Sequence, residues 1–279
     1  MTAITPQAAE PILELDGLGV QFGGVVALRD ITYQVPGGII QSIIGPNGAG
    51  KTTLFNCISG LLAPGTGSIR FRRQRIAGWA PHRIAALGLS RTFQQVALFA
   101  HMSVLENVMV GRHPRSRSGF LATGLRLPGM RREERELRER ARSILDFVGL
   151  GDLAAAAAGT LPLGQQKILE IARALATEPR LLLLDEPAGG LNTRETEQLG
   201  ELIQRIRGRD TTVILVEHDM NLVMDISDRI LVLYFGHPLA SGTPSAIKDN
   251  PEVIQAYLGD DWAESSAASY TSLDNHPGR

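Results

Sequence analysis

The spacing of hydrophobic and polar residues changes twice along the chain. From Pro11 to Val35, apolar and polar residues alternate with a period of two between glycines and prolines, which predicts antiparallel strands at Ile12–Leu15, Gly19–Phe22 and Ile31–Val35. The mostly apolar run Ile39–Ile44 is typical of a buried parallel strand. The elements predicted next are a helix at Lys51–Leu62, a strand at Ser68–Ile76 and a short helix at Pro81–Leu87.

Helical spacing then extends from Val104 to Ala176. Arg131–Val148 carries an apolar stripe opposite a charged face, whereas Arg112–Met130 is rich in Ser, Gly, Pro and Arg and predicts a loop or a short extra helix. After Pro179, strands alternate with helices, which predicts a parallel sheet flanked by helices. The predicted strands are Leu181–Leu184, Thr212–Val216 and Ile230–Tyr234, and the predicted helices are Arg194–Arg207, Met220–Ile226 and two short ones within Pro244–Leu258.

The composition is that of a globular protein. With 279 residues, 43% of them hydrophobic and 20% charged, the chain is unlike disordered, collagen-like or coiled-coil proteins. A net charge of −1 gives no bulk attraction to nucleic acid or anionic lipid. A single cysteine, Cys57, fits a reducing compartment, and we found neither a signal peptide nor a run of 18 apolar residues. We therefore expect a soluble, cytosolic chain whose aperiodic tail, 259–279, is disordered.

A phosphate-binding loop is the strongest chemical signal. The pattern G-x-x-x-x-G-K-[ST] is matched in full, between a predicted strand and a predicted helix, by Gly45, Pro46, Asn47, Gly48, Ala49, Gly50, Lys51 and Thr52. Glycines let backbone N–H groups approach phosphate oxygens, and the helix dipole adds positive potential. Lys51 is expected to reach the β- and γ-phosphates, and the Thr52 hydroxyl to bind Mg²⁺. The alternative is a glycine-rich turn that matches by chance.

Two acids follow the apolar strand Leu181–Leu184. Asp185 is positioned to bind Mg²⁺ through water, and Glu186, which points the other way, to polarise an attacking water as general base. The alternative is that these acids cap the next helix.

Four further features, in order, make the chain resemble the nucleotide-binding domain of ATP-binding-cassette (ABC) proteins. They are Phe22 before the phosphate loop, Gln94 after a strand, the segment Leu161–Lys167 ahead of a helix, and His218 after a strand. The resemblance covers about residues 11–258. It implies an α/β fold: a P-loop NTPase (RecA-like) core with an N-terminal antiparallel β subdomain and a helical subdomain at about 97–178.

The resemblance also implies roles for single residues. Phe22 would stack on adenine, Thr53 would join the phosphate loop in binding nucleotide, and Gln94 would contact Mg²⁺ and the attacking water and sense the membrane partner. His218 would contact the γ-phosphate and orient Glu186 or the water. The signature motif, which docks on the γ-phosphate held by a second subunit, would be Leu161, Pro162, Leu163, Gly164 and Gln165. ATP and Mg²⁺ are the implied cofactors.

The signature departs from the family consensus leucine-serine-glycine-glycine-glutamine. Pro162 replaces the serine and Leu163 the first glycine, so two donors to a γ-phosphate are lost. We hypothesise a functionally asymmetric pair, in which this chain's site depends on a better signature in its partner.

Within the family, the chain most resembles the ATPase subunits of branched-chain amino acid importers. The resemblance is carried by Arg91–Gln94, the insertion 112–130, Gly164–Arg173, Glu217–Met220 and the ending Gly242–Gly259. It implies separate transmembrane permeases, a second ABC ATPase subunit, indirect work with a periplasmic solute-binding protein, and a peripheral place on the cytoplasmic face of the inner membrane. Amide or urea import, lipopolysaccharide export and a non-transport ABC ATPase stay open as alternatives.

Overall fold

The computed structural model describes residues 10–94, 96–112 and 128–257, with only the backbone at 128–133. Ten strands form two sheets. Their bounds are β1 Pro11–Phe22, β2 Val25–Pro36, β3 Ile40–Ile44, β4 Thr66–Phe71, β5 Gln74–Arg75, β6 Leu89–Arg91, β7 Leu181–Asp185, β8 Thr212–Val216, β9 Arg229–Tyr234 and β10 His237–Gly242.

The first sheet is antiparallel, with the strand order β2-β1-β4-β5. The second has the order β10-β9-β3-β8-β7-β6, and its strands are parallel from β9 to β6 while β10 pairs antiparallel at the edge. The strands β3, β7 and β8 are buried along their whole length, as the near-continuous apolar runs predict. The predicted antiparallel start and parallel core are both present.

The α-helices among the described residues are α1 Lys51–Ile58, α2 Pro81–Ala86, α3 Val104–Gly111, α4 Pro128–Val148, α5 Leu163–Leu175, α6 Thr193–Arg207, α7 Met220–Ile226 and α8 Pro244–Lys248. A further short helix follows at 251–257. One apolar cluster joins α3, α4, α5 and α6 to the parallel sheet, and a second joins α1 to the antiparallel sheet and to the opposite face of the parallel one. The parallel sheet is therefore covered on both faces, which holds the ends of its strands in place.

The structure corrects several predicted bounds. The helix expected to reach Leu62 ends at Ile58, because Gly60 takes a left-handed conformation with φ of 77° and the Leu61 N–H turns back to the Asn56 carbonyl at 2.9 Å. The two short strands expected before Gly23 are one strand, β1, whose register shifts absorb Asp16 and Gly17. The single strand expected at Ser68–Ile76 is a hairpin, since the backbone turns at positive φ between β4 and β5.

Other predicted elements are confirmed or concern residues outside the described ranges. Helical structure between Val104 and Ala176, the amphipathic helix ending at Val148 and two short helices after Pro244 are present. Residues 113–127 of the insertion and the tail 259–279 lie outside the described residues, so the expectations for them stay predictions. Among the described helices, none is long and apolar enough to cross a membrane.

Candidate functional site

The phosphate-loop sequence joins β3 to α1, as its motif requires. Gly45, Gly48 and Gly50 have φ angles of 148°, 78° and 101°. A Cβ at Gly45 would lie 2.1 Å from the Leu233 carbonyl oxygen, and one at Gly50 would lie 2.6 Å from the Ala27 oxygen. Both backbone conformation and close approach therefore require glycine at the two ends of the loop.

Lys51 opens α1 and is buried, with 6% of its surface exposed. Its ammonium donates to the carbonyl oxygens of Gly45, at 2.5 Å, and Pro46, at 2.9 Å. Burial lowers the pKa of Lys51, and the negative charge of Glu186 acts in the opposite direction. The cation is thus held against the loop, within electrostatic reach of Glu186. The next residue, Thr52, is exposed, and Thr53 is half-buried.

Asp185 ends β7 and is paired with an arginine that the sequence analysis did not place in the site. The Arg91 guanidinium, at the end of β6, donates to Asp185 Oδ2 at 2.7 Å, with 7% and 4% of the two side chains exposed. Arg91 also donates to Asn56 Oδ1 at 2.8 Å and Ser59 Oγ at 2.9 Å, both on the phosphate-loop side. This ion pair links the β6 end, the β7 end and the C-terminal part of α1.

The three candidate catalytic residues meet at one carboxylate. Gln94 donates from Nε2 to Glu186 Oε2 at 2.7 Å, and His218 Nε2 lies 2.8 Å from Glu186 Oε1. They follow β6, β7 and β8, three parallel strands whose carboxyl ends lie at the same sheet edge. Glu186 itself has a φ of 47°, which is uncommon for a residue with a side chain.

The alternative of a helix cap at Asp185 and Glu186 is wrong. The next helix, α6, begins only at Thr193 and is capped by Asn192, whose side chain accepts from the Glu195 N–H at 3.0 Å. The Glu195 carboxylate in turn accepts from the Asn192 N–H. Asp185 at the end of β7 and Glu186 after it therefore do not cap a helix.

The signature segment lies at the start of α5. Pro162 takes the N-cap position, where its carbonyl accepts from the Gln166 N–H at 3.0 Å. Pro162 and Leu163 are exposed, Leu161 and Gly164 are buried, and Gln165 is half-buried. No hydrogen bond or ion pair among the described residues joins this segment to the phosphate loop of the same chain. The structure thus brings together Gln94, Glu186 and His218, but not the signature and Lys51.

The remaining candidates are one aromatic residue and the proposed metal ligands. Phe22 ends β1 with 52% of its surface exposed, so its ring is accessible. Within the described ranges, no group of three or more His, Cys, Asp or Glu side chains could hold a metal ion. The predicted Mg²⁺ ligands Thr52, Asp185 and Gln94 carry oxygen donors, and Mg²⁺ needs only one or two protein ligands when phosphate oxygens complete its shell.

Comparisons with known proteins show which family the chain is similar to. A family model described as "ABC transporter" matches residues 28–189, and one described as "Branched-chain amino acid ATP-binding cassette transporter" matches residues 237–263. The high-affinity branched-chain amino acid transport ATP-binding protein BraF of Pseudomonas aeruginosa is 49% identical over 253 residues, which cover 90% of this chain and 99% of BraF.

Solved structures extend the similarity to the fold. A crystal structure of an ATP-binding cassette of an ABC transporter, in its ADP conformation, superimposes with a TM-score of 0.80 at 30% identity and covers 90% of this chain and all of its own. A dimeric cassette in a post-hydrolysis state, bound to ADP and Pi, gives 0.70 at 26% identity, over 83% and 98% of the two chains. The predicted fold class is confirmed. The chain belongs to the ABC transporter family and is an ATP-binding subunit, an ATPase coupled to transport.

Proposed function

We propose that this chain hydrolyses ATP to drive the uptake of branched-chain amino acids through separate permease subunits. The observation that carries the proposal is the Glu186 carboxylate, held by Gln94 and His218 and within electrostatic reach of Lys51. The solute class rests on the match of residues 237–263 and on the identity to BraF.

The phosphate loop provides the binding chemistry. Backbone N–H groups of the loop between Gly45 and Gly50 and the Lys51 ammonium would bind the phosphates, and the Phe22 ring would stack on adenine. Thr52, Asp185 and Gln94 would hold Mg²⁺, which neutralises charge on the transferred phosphoryl group.

Glu186 would act as general base on the attacking water. Gln94 and His218 already contact its two oxygens, at 2.7 and 2.8 Å, and so fix the direction of the carboxylate. Each can also orient the water, because an amide and an imidazole both donate and accept hydrogen bonds. Loss of the γ-phosphate would remove the charge that holds the closed state together.

A complete site would need a second cassette. The signature at the start of α5 makes no bond to its own phosphate loop among the described residues, so it would serve the nucleotide of the partner. Pro162 can give that nucleotide neither a hydroxyl nor an N–H. We infer a pair in which this chain contributes the weaker signature, and such a pair needs a second subunit of different sequence. In the alternative, a homodimer, this signature would serve both sites.

The permease would dock beside Phe93 and Phe99, which are 47% and 48% exposed. They line a largely apolar cleft of about 390 Å³ between the phosphate-loop side and α5. A partner bound in this cleft would sense movement of Gln94, which is next to Phe93.

The chain would then lie on the cytoplasmic face of the inner membrane. The periplasmic solute-binding protein would act on it indirectly, and no nucleic acid would bind. The bounds 11–258 for the domain and 97–178 for its helical part stay predictions.

The hydrolysis step is tested by Glu186→Gln, with exposed Glu201→Gln on α6 as the control. We expect the first variant to bind MgATP without hydrolysing it and to persist as a dimer in light scattering, alone or with its sister cassette. The control should turn over like the wild type. A Glu186→Gln chain that stays monomeric in both settings, or that keeps its turnover, would contradict the mechanism.

The transport role is tested by recovering the tagged chain from detergent-solubilised native membranes. We expect permeases and a second cassette, identified by mass spectrometry. Permeases of amide, urea or lipopolysaccharide systems would redirect the proposal to those solutes. Recovery without any membrane protein would overturn the transport role while leaving the ATPase intact.

A further inference from the structure

Two buried charged residues outside the predicted site bond to the backbone around Glu186 and His218. Lys167 lies one turn into α5, and Glu217 lies between β8 and His218. They are 8% and 4% exposed. Burying such groups is costly unless they have partners, so their contacts indicate what they do.

Glu217 joins the loop after β8 to the loop after β7. Its Oε1 accepts from the Ala188 N–H at 2.6 Å, and its Oε2 accepts from the His218 N–H at 2.8 Å and the Asp219 N–H at 3.3 Å. The carboxylate thus fixes the backbone of His218 and the backbone two residues after Glu186 with one rigid group.

Lys167 reaches the same place from α5. Its ammonium donates to the Glu186 carbonyl oxygen at 3.2 Å. Burial lowers the pKa of Lys167, whereas the charges of Glu217, Glu170 and Glu186 raise it. Burial is the larger effect, and the one hydrogen bond of this ammonium among the described residues goes to the Glu186 backbone.

The backbone of Glu186 needs such support. Its φ of 47° is unfavourable for a residue with a Cβ and persists only where neighbours hold it. The Glu186 N–H donates to the Val216 carbonyl at 2.9 Å, and its carbonyl accepts from the Gly189 N–H at 3.2 Å as well as from Lys167. Because the backbone of Glu186 is held in this way, its carboxylate stays within hydrogen-bond distance of Gln94 and His218.

We propose that Lys167 and Glu217 are positioning residues for hydrolysis. Together they hold the strained backbone of Glu186 and the backbone of His218, so that the general base and the histidine that orients it keep their relative positions. The inference rests on the proposed function of Glu186 as the general base. It assigns to the first turns of the signature helix a second task, within their own chain, besides the contact to a partner's nucleotide.

The test compares Lys167→Met and Glu217→Gln in the complex recovered through the tagged chain. Lys248→Met and Glu252→Gln are matched controls, because both residues are exposed near the C-terminal end of the described chain. We expect kcat for ATP to fall about 10- to 100-fold in the first pair, the scale of a small misplacement of a reacting group. The KM and the affinity for a non-hydrolysed ATP analogue should change by less than about twofold, since no phosphate-loop contact is lost.

Two further readouts separate positioning from a loss of structure. Lys167→Arg, which keeps the cation, should recover most of kcat. Combining Lys167→Met with Glu217→Gln should lower kcat by less than the product of their separate effects, because both residues hold the same stretch of backbone. If Lys167→Met does not fold, Glu217→Gln, nearly identical in shape, carries the same test.

Wild-type kcat in both Lys167→Met and Glu217→Gln, with Glu186→Gln inactive, would overturn this inference alone. Full activity of Glu186→Gln would instead overturn the proposed function. If Lys167→Met and Glu217→Gln instead raise the KM for ATP and lower the affinity for the ATP analogue by the same factor, the two residues serve nucleotide binding. That result would also overturn the positioning role.

Discussion

Removing the Arg91 guanidinium should destabilise the fold strongly, because it leaves the Asp185 carboxylate buried without its cation. In Arg91→Met, the ion pair of 2.7 Å is lost, together with the bonds to Asn56 and Ser59. Methionine fills much of the volume, so the change is chiefly electrostatic. The ion pair has 7% and 4% exposure, which leaves little room for water to replace it.

Breaking a buried pair by removing one partner costs about 3–5 kcal/mol. At about 2 °C per kcal/mol for a chain of this size, the midpoint of thermal unfolding should fall by about 6–10 °C. Asp185→Asn in the same chain removes the stranded charge and should recover at least about half of the loss. The two substitutions are therefore expected to be far from additive.

The free energy of unfolding is measured by urea denaturation of the full chain without nucleotide, followed by circular dichroism. Exposed Arg229→Met at the start of β9 is the control and should lie within about 0.5 kcal/mol of the wild type. A loss below about 1 kcal/mol in Arg91→Met, or no recovery in the double variant, would refute the reasoning.

Three further predictions concern single side chains. Burial raises the pKa of the Cys57 thiol to about 11. At pH 8, a thiol reagent should therefore modify the native chain at least about a hundredfold more slowly than the chain unfolded in urea. Equal rates would show that the thiolate is exposed in the native chain. Pro162→Ser supplies a side-chain cap that α5 lacks, so we expect about 1 kcal/mol of stabilisation and faster ATP turnover; unchanged turnover would count against the asymmetric pair. Phe22→Ala should raise the KM for ATP about tenfold at constant kcat while Phe22→Trp does not, and a KM unaffected by alanine would remove Phe22 from the adenine site.

Motifs and strand order predicted much of the candidate site. The spacing of Gly45–Thr52 placed the loop between a strand and a helix. Glu186 and His218 each follow an apolar strand, and Gln94 follows the short strand β6. Parallel strands present their carboxyl ends at one edge, so their meeting follows from the topology that the alternating pattern predicts. The structure adds the distances between these side chains and shows that Gln94 and His218 both contact the carboxylate of Glu186.

Contacts between distant segments were not predictable in this way. Arg91 belongs to a segment that carries the family resemblance, but its pairing with Asp185 depends on β6 lying beside β7, which local periodicity does not encode. Lys167 and Glu217 read as ordinary charged residues in a helix and a loop, since burial is a tertiary property. The end of α1 at Ile58, before the turn at Gly60, and the edge strand β10 were missed because turn residues, not apolar spacing, determine them.

The central claim is tested most directly by transport. Proteoliposomes containing the complex recovered through this chain, with internal MgATP and the solute-binding protein outside, are assayed for uptake of labelled leucine, isoleucine and valine. We predict ATP-dependent uptake that Glu186→Gln abolishes and Glu201→Gln retains. Uptake that proceeds equally with Glu186→Gln, or no uptake of any of the three amino acids by an ATP-hydrolysing complex, would contradict the account.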